Sequence, residues 1–250
     1  MSNECFVVAL VSGKGGTGKT TLTANFGVEL ASAWRGRGIE LSEEKNRVLV
    51  IDNDYATGGA SYLLAGGERL KTGVESQMIQ PQTCFYDCYS RRIPPQDVTP
   101  LRLLFEDRTM GEFEVHVLLN SLGWWKTPLP EMMDEGESPM PETESAGFVD
   151  RELLPYYESL IEHFRLFYDY IIIDSRGGAD MRASVAAVVA DSIVIVTEPG
   201  EVAEKQDLSF VQSLRMLAAQ IDRRVGGVSV IYNRVLENEK KTRDRSSDLT

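Results

Sequence analysis

Three polar clusters in this chain have the residue types and spacing for chemistry on a phosphate ester. The longest is Ser12-Gly13-Lys14-Gly15-Gly16-Thr17-Gly18-Lys19-Thr20-Thr21, which contains the Gly-x4-Gly-Lys-Thr spacing of a phosphate-binding loop. Glycines let successive backbone N–H groups turn towards one point, and a helix starting there adds positive potential. In such a loop Lys19 reaches the β- and γ-phosphates and the Thr20 hydroxyl ligates Mg²⁺. A plain glycine-rich turn is the alternative. Against it, an apolar run (residues 5–11) precedes the loop and a helical pattern with Leu22, Phe26 and Leu30 follows, so strand, loop and helix come in the required order. The second cluster, Asp52-Asn53-Asp54, ends the apolar run 48–51, and the third is Asp174 at the end of Tyr170-Ile-Ile-Ile173. Open parallel sheets keep their ligands at the carboxyl ends of strands. Two alternating carboxylates opposite a phosphate loop suit the positioning of a metal or a water, with capping of the next segment as the plainer alternative. An apolar strand ending in Asp is the Walker B pattern, whose carboxylate binds the Mg²⁺ shell.

Lys14 makes the loop less generic. Gly-Lys-Gly-Gly-Thr-Gly-Lys-Thr-Thr resembles the deviant Walker A loop of the ParA/MinD family of ATPases. The resemblance extends over residues 5–65 and 113–235. It implies an α/β fold of the P-loop NTPase class, with a mostly parallel central sheet and helices on both faces. It also implies ATP and Mg²⁺ as ligands, and an ATP-dependent homodimer in which Lys14 reaches the partner's nucleotide. By the same resemblance Lys14, Lys19 and Asp54 are catalytic, Asp54 orienting the attacking water. Thr20, Asp52 and Asp174 serve the metal. The nucleotide is held by Gly13, Lys14, Gly15, Gly16, Thr17, Gly18, Lys19, Thr20 and Thr21, with Asn233 and Arg234 at the end of the last strand. An Asn there is expected to bond adenine, since its amide offers both a donor and an acceptor. Two departures stand out. The family often continues its first Asp motif with Pro-Gln-Gly and its second with x-Pro-Pro; here Tyr55-Ala56-Thr57 and Ser175-Arg176-Gly177-Gly178 follow instead. Arg176 is either a charge near the γ-phosphate or a solvated side chain.

These side chains need elements to carry them. Strands are expected at residues 5–11, 48–51, 115–119, 171–173, 193–196 and 228–232, because continuous β-branched runs suit buried parallel strands. Helices are expected at 20–34, from Ser61 over a short stretch, at 151–168 with Pro155 in the first turn, at 181–190 and at 201–219. Residues 34–46 read as a polar connection, and Leu101-Arg-Leu-Leu-Phe105 suggests helix and turn near the mouth of the site. His116 reads as a strand-face residue. Trp124-Trp125 precede a stretch rich in Pro and Glu; residues 127–150 hold seven acidic residues and no basic ones, so 126–150 is expected to be a flexible acidic insertion. The tail 236–250 is polar, without the basic amphipathic pattern of a C-terminal membrane-targeting helix. The whole chain reads as one ATPase domain.

The 250 residues are 42% hydrophobic, enough for a sizeable core, and no apolar run approaches a membrane span or a signal sequence, so a cytoplasmic protein is expected. Three cysteines are too few for a disulfide framework, and Cys84 and Cys88 have no nearby partners to complete a zinc set. A net charge of −12 gives no support to strong nucleic-acid binding by the chain as a whole, although a basic patch on a dimer face would suffice for nonspecific DNA. The expected function is a molecular switch in DNA partition or subcellular positioning, with slow ATP hydrolysis stimulated by an activating or cargo protein. A regulator of another machine (polysaccharide synthesis, secretion or defence) and a poorly hydrolysing scaffold are the alternatives. An iron–sulfur carrier would need a Cys-x-x-Cys, and a tyrosine kinase of the superfamily a C-terminal tyrosine cluster; neither is present.

Overall fold

The computed structural model describes residues 5–37, 40–55, 57–67, 73, 78–122, 153–178 and 181–233; Trp124, Trp125, the acidic stretch 126–150, Arg234 and the tail 236–250 lie outside the described residues. In chain order the elements are β1 (Phe6–Val11), α1 (Lys19–Ser32), β2 (Trp34–Arg37), β3 (Glu40–Lys45), β4 (Val48–Asn53), α2 (Gly59–Ala65) and α3 (Phe85–Ser90). They continue with β5 (Leu101–Asp107), β6 (Gly111–Leu118), α4 (Leu153–Phe164), β7 (Tyr170–Ser175), α5 (Met181–Val189), β8 (Ser192–Thr197), α6 (Glu201–Gln220) and β9 (Gly227–Tyr232).

Among the described residues, seven strands join in one sheet, in the order β5-β6-β4-β7-β1-β8-β9. All neighbours run parallel except the antiparallel edge pair β5–β6. Successive side chains of a strand point to opposite faces. Ile171 and Ile173 of β7 thus pack with Leu49 and Ile51 under α4, α5 and α6, while Ile172 packs with Val48, Val50, Val8 and Leu10 under α1 and α2. Both faces are covered, which is why the central strands read as unbroken apolar runs. Each isoleucine of β7 is fully buried and contributes about 1.5–3 kcal/mol relative to exposure. Gly27 lets α1 lie close on the sheet, because a Cβ there would meet Val50 Cγ2 at 2.8 Å. At the amino end of the strands, Asp169 accepts the Arg47 backbone N–H at 2.8 Å, and the Asp169 N–H donates to the Arg47 carbonyl at 2.8 Å.

Two stretches differ from the sequence expectation. Within residues 34–46, β2 and β3 pair antiparallel as a two-stranded sheet separate from the main one; Lys45 Nζ lies 3.9 Å from the Trp34 ring centroid and donates to the Ser32 carbonyl at 2.6 Å. Residues 101–107 form the antiparallel edge strand β5, with Leu103 buried opposite Val115, in place of a helix or turn. The remaining expected strands and helices appear with their ends moved by a few residues. His116 sits on β6, with Nδ1 2.7 Å from the Tyr168 hydroxyl. Cys84 and Cys88 are buried free thiols, and burial raises the pKa of both. No described helix is long and apolar enough to cross a membrane.

Candidate functional site

The site lies where β1, β4 and β7 end. Residues 12–18 leave β1 and turn into α1, whose N-cap is Gly18 at φ 88° and ψ 13°. Gly16 also has a positive φ, 78°, a region glycine enters without strain. A Cβ built on Gly15 or Gly16 would meet nothing within 4 Å, so this side of the loop opens into space. The other side is tightly seated. Gly13 packs against the α6 backbone at Gln206 and Asp207, and Gly177 against the backbone of Lys14 and Gly15. The Gly13 N–H donates to Asp207 Oδ1 at 2.5 Å, and the Gly178 N–H donates to the Ser12 carbonyl at 3.0 Å.

Lys19, the first residue of α1, is buried, with Nζ donating to Ser12 Oγ at 2.9 Å. Burial lowers its pKa, while Asp174, Asp54 and Asp207 act in the opposite direction. Asp52 and Asp174 are directly paired across β4 and β7, and both are fully buried. Burial raises the pKa of Asp174, reinforced by Asp52 and opposed by the hydroxyls of Thr20 and Thr23. Thr23 Oγ1 donates to Asp174 Oδ1 at 3.1 Å, whereas Oδ2 is buried without a hydrogen-bond partner. Asp52 is pushed upward by burial, and its hydrogen bonds from Ser61 hold it down. Its Oδ2 accepts from the Ser61 N–H at 2.8 Å and from Ser61 Oγ at 2.6 Å, tying β4 to α2. Asp54 Oδ2 accepts the Thr57 hydroxyl at 2.9 Å, its N–H donates to Asp52 Oδ1 at 3.2 Å, and its carbonyl accepts from Asn120 Nδ2.

Lys14 lies outside this buried group. Its Nζ is 2.6 Å from Glu198 Oε2 in the turn after β8, with the lysine side chain 34% exposed. Asn233 follows β9 and donates Nδ2 to the Thr17 carbonyl at 2.8 Å, while its own N–H donates to Thr197. Thr21 is exposed on the first turn of α1. The structure therefore brings together Lys14, Lys19, Thr20, Asp52, Asp54, Asp174 and Asn233 around residues 13–21; Arg234 is outside the described residues.

Sequence reading missed Ser12, Ser61, Glu198 and Asp207. Only Asp207 left a signal. It interrupts the apolar stripe Ala203, Phe210, Val211 and Leu214 of α6, where it is 1% exposed, and a carboxylate on a buried face needs a partner.

The donor set fits a hard divalent cation. Asp174 Oδ2 is an unpartnered buried oxygen, and the Thr20 hydroxyl is among the groups that hold down the pKa of the same carboxyl. Among the described residues no three His, Cys, Asp or Glu gather to hold a metal. One or two carboxylates, a hydroxyl and substrate phosphates are the usual Mg²⁺ environment. The open face at Gly15 and Gly16 fits a phosphate chain.

The profile of the CobQ/CobB/MinD/ParA nucleotide binding domain matches residues 8–248. The septum site-determining protein MinD of Synechocystis sp. is 26% identical over 230 residues, 92% of this chain. The chain spans 64% of that relative's length, a little under two thirds. Among solved structures, a plasmid partition protein from Borrelia burgdorferi aligns with a TM-score of 0.62 at 14% identity, over 98% of this chain and 87% of its own. MinD from Pyrococcus horikoshii OT3, complexed with Mg-ADP, aligns with a TM-score of 0.55 at 21% identity, over 94% and 72%. At these identities the likeness to solved structures establishes the fold.

Proposed function

We propose that this chain, which belongs to the CobQ/CobB/MinD/ParA nucleotide binding domain family, is an ATP-driven dimer switch that positions DNA or another cellular cargo. The observation that carries the reading is Lys19, buried at the root of an open glycine loop and in the field of Asp54 and Asp174. The MinD and plasmid-partition relatives support the positioning role, and the Mg-ADP complex of one of them supports ATP and Mg²⁺ here.

In this reading the backbone N–H groups of residues 13–18 and the start of α1 cradle the ATP phosphates, with Thr21 in the first helical turn. Lys19 sets its charge against the β- and γ-phosphate oxygens. Thr20 and Asp174 would hold Mg²⁺, supported by Asp52 from the next strand, and bound there it would neutralise phosphate charge. Asn233 bonds the base, a role the sequence resemblance extends to Arg234. Asp54 orients the water whose oxygen bonds to the γ-phosphorus as the bond to the bridging oxygen breaks, releasing ADP and phosphate. Little covalent work falls to the protein, so positioning and electrostatics supply the rate. Lys14 leaves Glu198 and crosses to the partner's phosphates in the ATP-bound dimer. Hydrolysis is slow until a partner protein stimulates it.

Light scattering with and without MgATP, alongside ATP turnover with and without duplex DNA, tests the reading. The expected result is a doubling of mass with ATP and turnover of the parent that Asp54→Ala loses while remaining dimeric. A chain that stays monomeric at saturating ATP, or an Asp54→Ala variant that hydrolyses at the parent rate, overturns it. A second reading, a nucleotide-bound regulator of another machine with little turnover, is favoured by the residues that follow Asp54 and Asp174. It predicts dimerisation without measurable hydrolysis.

A further inference from the structure

Tyr55 and Arg176 occupy the two positions where the chain departs from the expected motifs, and they touch. They leave β4 and β7 at the same level, since Asn53 pairs with Ser175. The Arg176 guanidinium lies over the Tyr55 ring, 4.9 Å from its centroid, and Nη1 donates to the Tyr55 hydroxyl oxygen. Arg182 of α5 lies 4.3 Å from the same ring centroid. Two cations on one ring repel each other, so the arrangement persists only where the ring's π face and the hydroxyl repay it. The backbone beneath is fixed as well: Asn53 Nδ2 donates to the Arg182 carbonyl at 3.3 Å, and Tyr86 donates its hydroxyl to Asn53 Oδ1 at 2.9 Å.

The far end of this assembly rests on the glycine loop. A Cβ on Gly177 would lie 2.6 Å from the Gly15 nitrogen, and the Gly178 N–H is bonded to Ser12. A continuous chain of contacts therefore runs from Ser12–Gly15 through Gly177 and Arg176 to Tyr55, the residue after Asp54. Coupling between sites needs such a physically connected element.

We propose that Arg176 is a positioning residue: through Tyr55 it holds Asp54 in register with the phosphate loop, so that a shift at Lys14–Gly15 is passed to the water-orienting carboxylate. The role in catalysis rests on the reading of Asp54 given above. Arg176 itself touches neither nucleotide nor water in this scheme.

The test combines kinetics with amide hydrogen exchange on Tyr55→Phe, Arg176→Ala and Arg176→Lys in the full chain. Arg176→Ala is expected to lower kcat about tenfold, with less than a twofold change in KM and in affinity for a fluorescent ATP analogue. Arg176→Lys should recover part of kcat, because it keeps a cation over the ring. Tyr55→Phe keeps the ring and loses the hydroxyl, so its effect should be smaller and should vanish in the Arg176→Ala background. Without nucleotide, Arg176→Ala should speed exchange of amides 54–58 at least fivefold, leaving those of α1 unchanged. Additive effects of the two substitutions, an equal loss of nucleotide affinity, or unchanged exchange at 54–58 would each overturn the bridge. The nucleotide-free arm separates the two hypotheses: a parent that never hydrolyses ATP refutes the ATPase reading, while the exchange result still decides whether Arg176 restrains the Asp54 segment.

Discussion

Asp174→Asn should make the nucleotide-free protein more stable and less able to gain from MgATP. Asp174 and Asp52 face each other in register on strands that lie about 4.8 Å apart. At an effective dielectric of about 20, two unit charges ~5 Å apart would repel by about 3 kcal/mol, an upper bound that the fold relieves by raising the pKa of Asp174, so the buried carboxyl costs stability whether it stays ionised or takes up a proton. Lys19, buried nearby, offsets part of this, leaving about 1–2 kcal/mol to be gained by removing one charge. Asparagine keeps the volume and an acceptor for Thr23 Oγ1, which now donates to Asp174 at 3.1 Å. In a chain of 250 residues that gain corresponds to about 2–8 °C in Tm, at ~2–4 °C per kcal/mol. Ligand acts the other way. At a hundredfold excess over Kd the parent should gain about 2.7 kcal/mol from MgATP, and the variant far less, because it has lost the charged oxygen offered to the metal. The stabilities should therefore invert between the two conditions. Scanning calorimetry of both proteins with and without MgATP measures this directly. A variant that melts below the parent without nucleotide would mean that its hydrogen bonds outweigh the charge repulsion. An equal MgATP shift in both proteins would remove Asp174 from the metal site.

Four further outcomes can be checked. Lys14→Ala should bind a fluorescent ATP analogue as the parent does yet fail to double in mass with MgATP; dimerisation at the parent concentration would refute the cross-dimer role. Glu198→Gln removes the partner that holds Lys14 at 2.6 Å, so dimerisation should need about fivefold less protein, a shift of ~1 kcal/mol, and an unchanged midpoint would make the ion pair incidental. Ile172→Ala should cost about 2–5 kcal/mol in urea unfolding at an unchanged m-value, since its side chain is fully buried beneath α1. His116 titrates below its ordinary range because burial disfavours the imidazolium, with Glu114 pulling the other way. The folded state thus prefers the neutral ring, and its contribution is intact above the unfolded value of about 6.5 and lost as pH falls from there through the lower folded value. The stability difference between the parent and His116→Gln should accordingly narrow from pH 7.5 to pH 5.5; a constant difference would contradict the shift.

The sheet and the polar ends of its strands were legible because burial on both faces leaves few options for β-branched runs, and the chemistry clusters at their carboxyl ends. Asp54 and Asp174 were expected there for that reason, and they lie at the ends of β4 and β7. The β2–β3 pair was not legible, since its sequence is polar and, among the described residues, these strands pair with each other alone. Strand β5 was misread because Leu101-Arg-Leu-Leu-Phe105 does not alternate strictly. Its edge position leaves Leu104 exposed, so a half-buried pattern does not mark it. Glu198 and Asp207 could not be linked to the loop by any local rule: their partners, Lys14 and Gly13, lie 184 and 194 residues away.

Strand β7 carries three consecutive isoleucines, and this bears on how the sheet finds its alignment. A one-residue slip of such a strand would exchange isoleucine for isoleucine on both faces, so hydrophobicity alone specifies its register weakly. The polar residues at its ends break the degeneracy. At one end Asp169 must meet the Arg47 backbone. At the other Asp174 must stop beside Asp52, within reach of Thr23. A slip would set the buried carboxyl against isoleucine, away from Thr23, at a cost of several kcal/mol. The acid assigned to the metal thus also serves as a ruler for strand assembly, and variants that neutralise it should be examined for misaligned species during refolding as well as for lost turnover.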